Sequence, residues 1–356
     1  MDSATTKKYI LEQLRRYPAM QPTDLLKFLH QSTFGCGHLI SSPSAASNYI
    51  RQEMAQCPRV KDELIELLDG EFCRVHLDYL RQTGLSADTF ARLFALSASL
   101  RGEETDSLMP RLDTALTLAD KGVFDFSVTE LKAELEQWRA EGFPARHHSD
   151  AFRQAYSPAY RVLSRYHAQW LPLLAKLDQL IETNDHLMVA IEGGSASGKS
   201  TLAQLLSKLY DCNVFHMDDF FLRPEQRTAE RLAQPGGNVD YERFAEQVLT
   251  PLSQRKTVSY QRFDCSTQTI LPAVDIKPKA INFIEGAYSM HPLLSDAYDF
   301  SLFLRVAPDV QRQRIEKRNT PEMAARHFET WIPLEEHYFT ATNAASRCSM
   351  IWEVNK

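Results

Sequence analysis

The residues best equipped for chemistry lie between Leu187 and Leu209. There Gly193, Gly198, Lys199 and Ser200 spell G-x-x-x-x-G-K-S directly after an apolar run, the spacing of a phosphate-binding P-loop. Glycines let the backbone turn tightly and aim consecutive N–H groups inward, and the following helix adds the positive end of its dipole. The stretch Gly193, Gly194, Ser195, Ala196, Ser197, Gly198, Lys199, Ser200 and Thr201 is thus the candidate cradle for the phosphates of ATP. Lys199 is suited to reach the β and γ phosphates as a point charge, and the Ser200 hydroxyl to ligate the Mg²⁺ that bridges them. G-x-G-x-x-G does not occur here, so a dinucleotide loop is not expected.

Further along, Asp218-Asp219-Phe220-Phe221 follows a short apolar segment, Asn213 to Met217, that reads as the next strand. Ligands of open parallel α/β sheets bind at the C-terminal ends of the strands. Asp218 is accordingly the candidate base for an attacking hydroxyl, while Asp219 either holds Mg²⁺ through water or caps the next segment. Ala280 to Ile284 reads as another buried strand, and Glu285 at its end is a candidate metal-facing carboxylate beside Ser200. After the strand Ser301 to Val306 comes a basic helical run, Arg312, Arg314, Lys317, Arg318 and Arg326. Following a P-loop core, such a run is expected to form a lid, with Arg314 or Arg318 neutralising the transferring group.

The elements that must position these groups are legible from periodicity. Leu187 to Ile191 reads as a buried strand, and Leu202, Leu205, Leu206 and Leu209 recur on one helical face. Gly236 to Asp240 reads as a polar, mobile loop before a helix carrying Phe244, Val248 and Leu249. Residues 183–356 are therefore expected to form an α/β domain around the P-loop. Residues 1–182 read as an all-α domain, with the junction at Thr183-Asn184-Asp185. Within it, Ser127 and Glu130 make a capping box opening a helix through Leu131, Leu135 and Trp138, and a long apolar helical pattern runs from Leu163 through Trp170 to Leu180. Cys36-x-His38, Cys73-x-x-His76 and His147-His148 lack paired ligand spacing and read as packed side chains. The turn Phe34 to His38 and the segment Tyr156 to Arg161 are more distinctive than helix filler and suit either a hinge or a second small-ligand site.

The chain of 356 residues is ample for two cores. Forty Lys plus Arg against forty-six Asp plus Glu gives no basic tract for nucleic acid. No segment approaches about twenty apolar residues, so no membrane span is expected. Six cysteines without C-x-x-C pairs, and a start without a signal-peptide core, point to the cytoplasm.

Taken together, GGSASGKS, MDDFF, Asn238-Val239-Asp240, FIEGAYSMHPLL with Tyr298-Asp299, and the arginines after SLFLRV resemble the uridine kinase branch of P-loop kinases, related to phosphoribulokinase and bacterial pantothenate kinase. The resemblance covers about Leu187 to the C-terminus and implies an α/β P-loop kinase domain over residues 183–356, a parallel sheet with helices on both faces, preceded by the all-α domain. It implies transfer of the γ-phosphoryl group of ATP, with Mg²⁺, to a small hydroxyl acceptor such as uridine or cytidine. It implies that Asp218 is the base toward a sugar 5′-hydroxyl, that Asp240 holds ribose hydroxyls, that Phe221 lines the acceptor pocket and that Glu285 belongs to the metal site. Tyr260-Gln261-Arg262-Phe263-Asp264 stands where the family has a Tyr-Asp-Phe acceptor loop, so Tyr260 is the candidate acceptor contact. Pantothenate-like or sugar-like acceptors remain open, as does a nucleotide-sensing regulatory role. Homo-oligomers are common in the family.

Overall fold

The structure, a computed structural model, describes residues 3–36, 42–59, 63–100, 102 and 104–354. The chain divides into two compact units, Met1–Leu180 and Ile181–Lys356.

The first unit is predominantly helical, as its periodicity predicts. Ser127 caps the helix Val128–Ala140 through the expected box, its hydroxyl accepting from the Glu130 amide while Glu130 accepts from the Ser127 amide. Helices Ser3–Arg16, Pro22–Phe34, Met109–Asp120 and Val128–Ala140 enclose a core of Ile10, Leu25, Phe28, Leu112 and Trp138. What periodicity missed is a three-stranded antiparallel sheet: β1 (Ile65–Leu67), β2 (Phe72–His76) and β3 (Tyr160–Ser164), in that order. The helical pattern expected to begin at Leu163 starts only at Arg165, because Tyr160 to Ser164 pairs with β2 along its whole length. Pro158 ahead of it disfavours helix, and non-local pairing does the rest. Cys73 and His76 lie three apart on β2 and so face opposite sides, while Gly37 and His38 lie outside the described residues.

Charge is also buried in this unit. Arg74 and Glu66, both about 1% exposed, pair at 3.0 Å, and Gln13 and Tyr17 also donate to Glu66. Burial opposes ionisation of Glu66, but Arg74, His76, Gln13 and Arg16 outweigh it and hold its pKa well below the usual carboxylate range.

The second unit is built on strands β4 (Leu187–Gly193) and β5 (Cys212–His216), two small ribbons, and three further strands. One ribbon pairs β6 (Val258–Tyr260) with β9 (Val274–Ile276); the other pairs β7 (Phe263–Asp264) with β8 (Thr269–Ile270). The remaining strands are β10 (Ile281–Glu285), β11 (Phe300–Val306) and β12 (Met350–Val354). The main sheet has the order β12-β11-β4-β10-β5 and every pairing is parallel. All residues of β4 and β10 are buried, so both faces of the sheet centre are covered. The segment Gly236 to Asp240, expected to be a mobile loop, is largely buried instead. The Arg231 guanidinium donates to Gly237 O and Val239 O, and a Cβ on Gly237 would lie 1.8 Å from Arg231 O. The helical stretch after it, residues 241–253, carries a π-turn at Ala245–Leu249. Among the described residues no helix is long and apolar enough to cross a membrane.

Candidate active site

The expected order of strand, loop and helix is present. β4 ends at Gly193, five loop residues follow, and the helix Lys199–Leu209 begins at once, its leucines buried along one face. Gly193 (φ +146°) and Gly198 (φ +99°) adopt conformations that side chains disfavour, and a Cβ on Gly193 would lie 2.5 Å from Leu304 O. The loop therefore needs glycine where the motif has it. Ala196 also has positive φ (+56°). The Lys199 ammonium donates to Gly194 O at 2.9 Å, bending back over the loop. Ser197 Oγ is buried without a hydrogen-bond partner among the described residues.

Register brings the carboxyl ends of three strands level. Glu285 on β10 stands opposite Ile191 of β4 and His216 of β5. One Glu285 oxygen accepts from Ser200 Oγ at 3.1 Å and lies 2.6 Å from His216 Nδ1. The hydrogen bond to Glu285 raises the His216 pKa, with burial opposing it and the charge of Glu285 adding to it. Immediately beyond β5, the turn Met217–Phe220 carries Asp218 and Asp219. Asp218 is exposed, yet the surrounding protein disfavours its charge and raises its pKa. Lys199 opposes that shift and Glu285 reinforces it, so all three groups share one electrostatic neighbourhood.

The residues expected at the acceptor divide. Tyr260 is buried and donates to Asp219 Oδ2 at 3.3 Å, with its ring stacked on Phe220. Phe221 is half-buried and bridges to Val239. Asp240 is buried and already engaged: one oxygen caps the Arg243 amide and the other accepts from Gln226 at 3.0 Å and pairs with the Arg243 guanidinium. The two candidate lid arginines also differ. Arg314, on the helix Pro308–Arg318, donates to Ala196 O at 3.1 Å, whereas Arg318 is exposed a turn further on, near His327.

Several residues of the site carried no sequence signal. Glu192, fully buried, accepts from the amides of Gly193, Tyr288 and Met290 and from the Tyr338 hydroxyl, tying the loop base to the segment after β10 and to the helix Ile332–Thr342. Burial raises its pKa to about 7 despite those donors. From the same helix, Glu335 Oε2 accepts from the Ser195 amide at 2.8 Å and Oε1 from Ser195 Oγ at 2.7 Å. Gln311 Nε2 donates to Ser195 O at 2.8 Å. Glu335 and Gln311 lie more than a hundred residues downstream of Ser195, beyond the reach of any local motif.

A parallel sheet in the order β12-β11-β4-β10-β5, its central strand running into G-x-x-x-x-G-K-S at a helix N-terminus, defines a P-loop nucleotide-binding fold. No family model matches the chain, and no curated protein matches it. Among solved structures, it is similar to one described as a "Possible Uridine Kinase" from Bacillus stearothermophilus, at 21% identity and TM-score 0.38 over 51% of this chain and 98% of that one. It is similar to a provisionally designated fructose transport system kinase from Silicibacter sp. TM1040, at 21% identity and TM-score 0.41 over 50% and 97%. A deoxyadenosine kinase from M. mycoides with bound dATP matches at 18% identity and TM-score 0.24, over 48% and 91%.

Proposed function

We propose that the second unit transfers the γ-phosphoryl group of ATP, with Mg²⁺, to a hydroxyl of a small metabolite, a nucleoside such as uridine or cytidine being the preferred acceptor. The observation that carries this reading is the convergence of Lys199, Ser200, Glu285 and Asp218 at the carboxyl end of one parallel sheet. The residues fit the absent groups. A buried Ser197 hydroxyl, without a partner among the described residues, and a helix N-terminus suit phosphate oxygens, and a hydroxyl beside a carboxylate suits a hard divalent cation that keeps most of its waters. Ser200 and Glu285 would hold Mg²⁺, which supplies charge neutralisation on the phosphates.

The chain's own residues do the remainder. Lys199 and the loop amides bind and orient the polyphosphate, and Arg314, held on the loop at Ala196 O, adds positive charge there. Asp218 accepts the acceptor's hydroxyl proton. Its raised pKa brings it nearer the operating range of a base, and phosphoryl transfer demands little more than positioning. A cytoplasmic location and a homo-oligomeric state belong to the same proposal, as does a role without nucleic acid or membrane partners.

Asp240 supports a second reading of the acceptor. Its carboxylate is engaged by Arg243 and Gln226, so a pantothenate-like or sugar-like hydroxyl compound that does not call on it fits as well. The test is ADP release from ATP and Mg²⁺ across nucleosides, pantothenate and sugars. Turnover that depends on one acceptor and is lost in Asp218→Asn supports the kinase and identifies its substrate. ADP release that ignores every acceptor and the substitution would favour a nucleotide sensor.

A further inference from the structure

A cavity of about 700 Å³ in the first unit plays no part in the reaction proposed for the second. Among the described residues its wall carries four cationic side chains, Lys27, Arg146, Arg153 and Arg161, against one carboxylate, Glu53. The carboxylates that pair with Arg146 and Arg153 are Glu134 and Asp150, which are 41% and 84% exposed and do not line the cavity. Only Arg161 has its partner, Glu53, within the wall. Lys27 is 7% exposed, donates to Arg146 O at 2.5 Å, and makes no ion pair among the described residues. Burial, reinforced by the Arg74 charge, lowers its pKa to about 8. A buried ammonium beside further cations is costly unless an anion comes to it.

The site is built, not a chance patch. Lys27 projects from the helix Pro22–Phe34 and Arg161 from β3, and Arg146 from the segment before Ser149. Behind them, His148 Nε2 lies 2.6 Å from Tyr160 OH and its Nδ1 lies 2.8 Å from Asp24, while Ser149 also donates to Asp24. Tyr160 lies over the Arg74 guanidinium, 4.8 Å from ring centroid to carbon, and Gln31 accepts from Arg74 at 2.8 Å. His148 is kept neutral by burial, its pKa lowered to about 4, so it adds no competing charge near neutrality. The floor is therefore a connected hydrogen-bond network, and Phe94 supplies an apolar wall. A cavity of this volume, mixed apolar surface with convergent charge, has the form of a small-molecule site.

We propose that this cavity binds a small phosphate monoester, its phosphate held by Lys27, Arg146 and Arg161 and its organic body packed between Phe94 and Tyr160. Arginine forks and a lysine point charge recognise the head group, and a volume of about 700 Å³ matches a free metabolite in size.

The test is titration of the full chain with phenyl phosphate and, separately, inorganic phosphate, by calorimetry. Lys199→Ala separates this cavity from the P-loop. Binding of phenyl phosphate at roughly millimolar or better Kd, retained in Lys199→Ala and weakened roughly tenfold or more in Lys27→Met and in Arg161→Gln, is the expected result. Lys27→Arg, which keeps the charge, should restore binding, and unchanged unfolding midpoints exclude loss of the fold. Loss of binding in Lys199→Ala with both cavity variants unaffected, or no binding to the unmodified chain, would overturn the proposal. Inorganic phosphate binding as tightly as phenyl phosphate would also overturn it, because the organic body would then contribute nothing.

Discussion

The Glu335 carboxylate sits on the P-loop of its own chain, accepting from the Ser195 amide at 2.8 Å and from Ser195 Oγ at 2.7 Å. A loop shaped to present N–H groups to phosphate presents one of them to a side-chain carboxylate. Burial raises the pKa of Glu335, with Lys199 opposing, so its charge is held there at a cost. Under the proposed function, a negative charge beside the polyphosphate weakens nucleotide binding. Glu335→Gln is therefore expected to tighten ATP binding by roughly threefold to tenfold, more at low salt than at high, as read by calorimetric titration. Weaker binding in the variant would mean that Glu335 serves to shape the loop.

Ser200 and Glu285 are expected to govern metal use more than nucleotide use. Glu285→Gln keeps a hydrogen-bond acceptor for Ser200 but removes the charge. The Mg²⁺ concentration giving half-maximal turnover should rise by roughly tenfold or more, with metal-free ATP binding little altered. An unchanged Mg²⁺ requirement would remove Glu285 from the metal site.

The two units should respond to pH with opposite signs. Glu192 has a native pKa of about 7 against an ordinary 4.5, so the native state holds more protons than the unfolded chain between those values. Stability of the second unit should therefore fall as pH rises from about 4.5 to 7, by up to about 3 kcal/mol, and Glu192→Gln should flatten that fall. His148 is the reverse case, with a native pKa of about 4 against 6.5. Below pH 6.5 the unfolded chain takes up the proton first. The first unit should lose up to about 3 kcal/mol as pH falls from 6.5 to 4, and His148→Gln should remove most of that dependence. Hydrogen exchange resolved to β4 and to β3 reads the two units separately.

Arg74→Met should destabilise the first unit by about 3 to 5 kcal/mol, because Glu66 is then left buried with its main counter-charge gone. The double variant Arg74→Met, Glu66→Gln should recover part of the loss. Urea unfolding measures both, and a loss below about 1 kcal/mol in the single variant would show that water or Arg16 replaces the partner.

Gly193→Ala should abolish nucleotide binding and cost the second unit several kcal/mol. The backbone there has φ +146° and the new Cβ would meet Leu304 O at 2.5 Å. A variant that binds ATP normally would show that β11 yields to the methyl group.

The local parts of the protein were legible because their causes are local. G-x-x-x-x-G-K-S, the Ser127 capping box and the buried strands around β4 and β10 depend on neighbours a few residues away, and the structure carries each of them. The α/β class of the second unit and the helical character of the first followed from the same patterns, while the small sheet of the first unit did not. Asp218 and Glu285 could be located because parallel sheets place strand ends together.

Tertiary structure alone decided what those groups touch. Tyr160 to Ser164 became a strand because β2 lay alongside it, although its apolar spacing read as helix. Gly236 to Asp240 became a buried segment because Arg231 reaches its carbonyls. Asp240 acquired Arg243 and Gln226, and the P-loop acquired Glu335, Gln311 and Arg314 from helices more than a hundred residues away. Local sequence sets backbone preference and burial pattern, whereas hydrogen-bond partners between distant segments are selected only when the chain packs and each buried polar group must be satisfied.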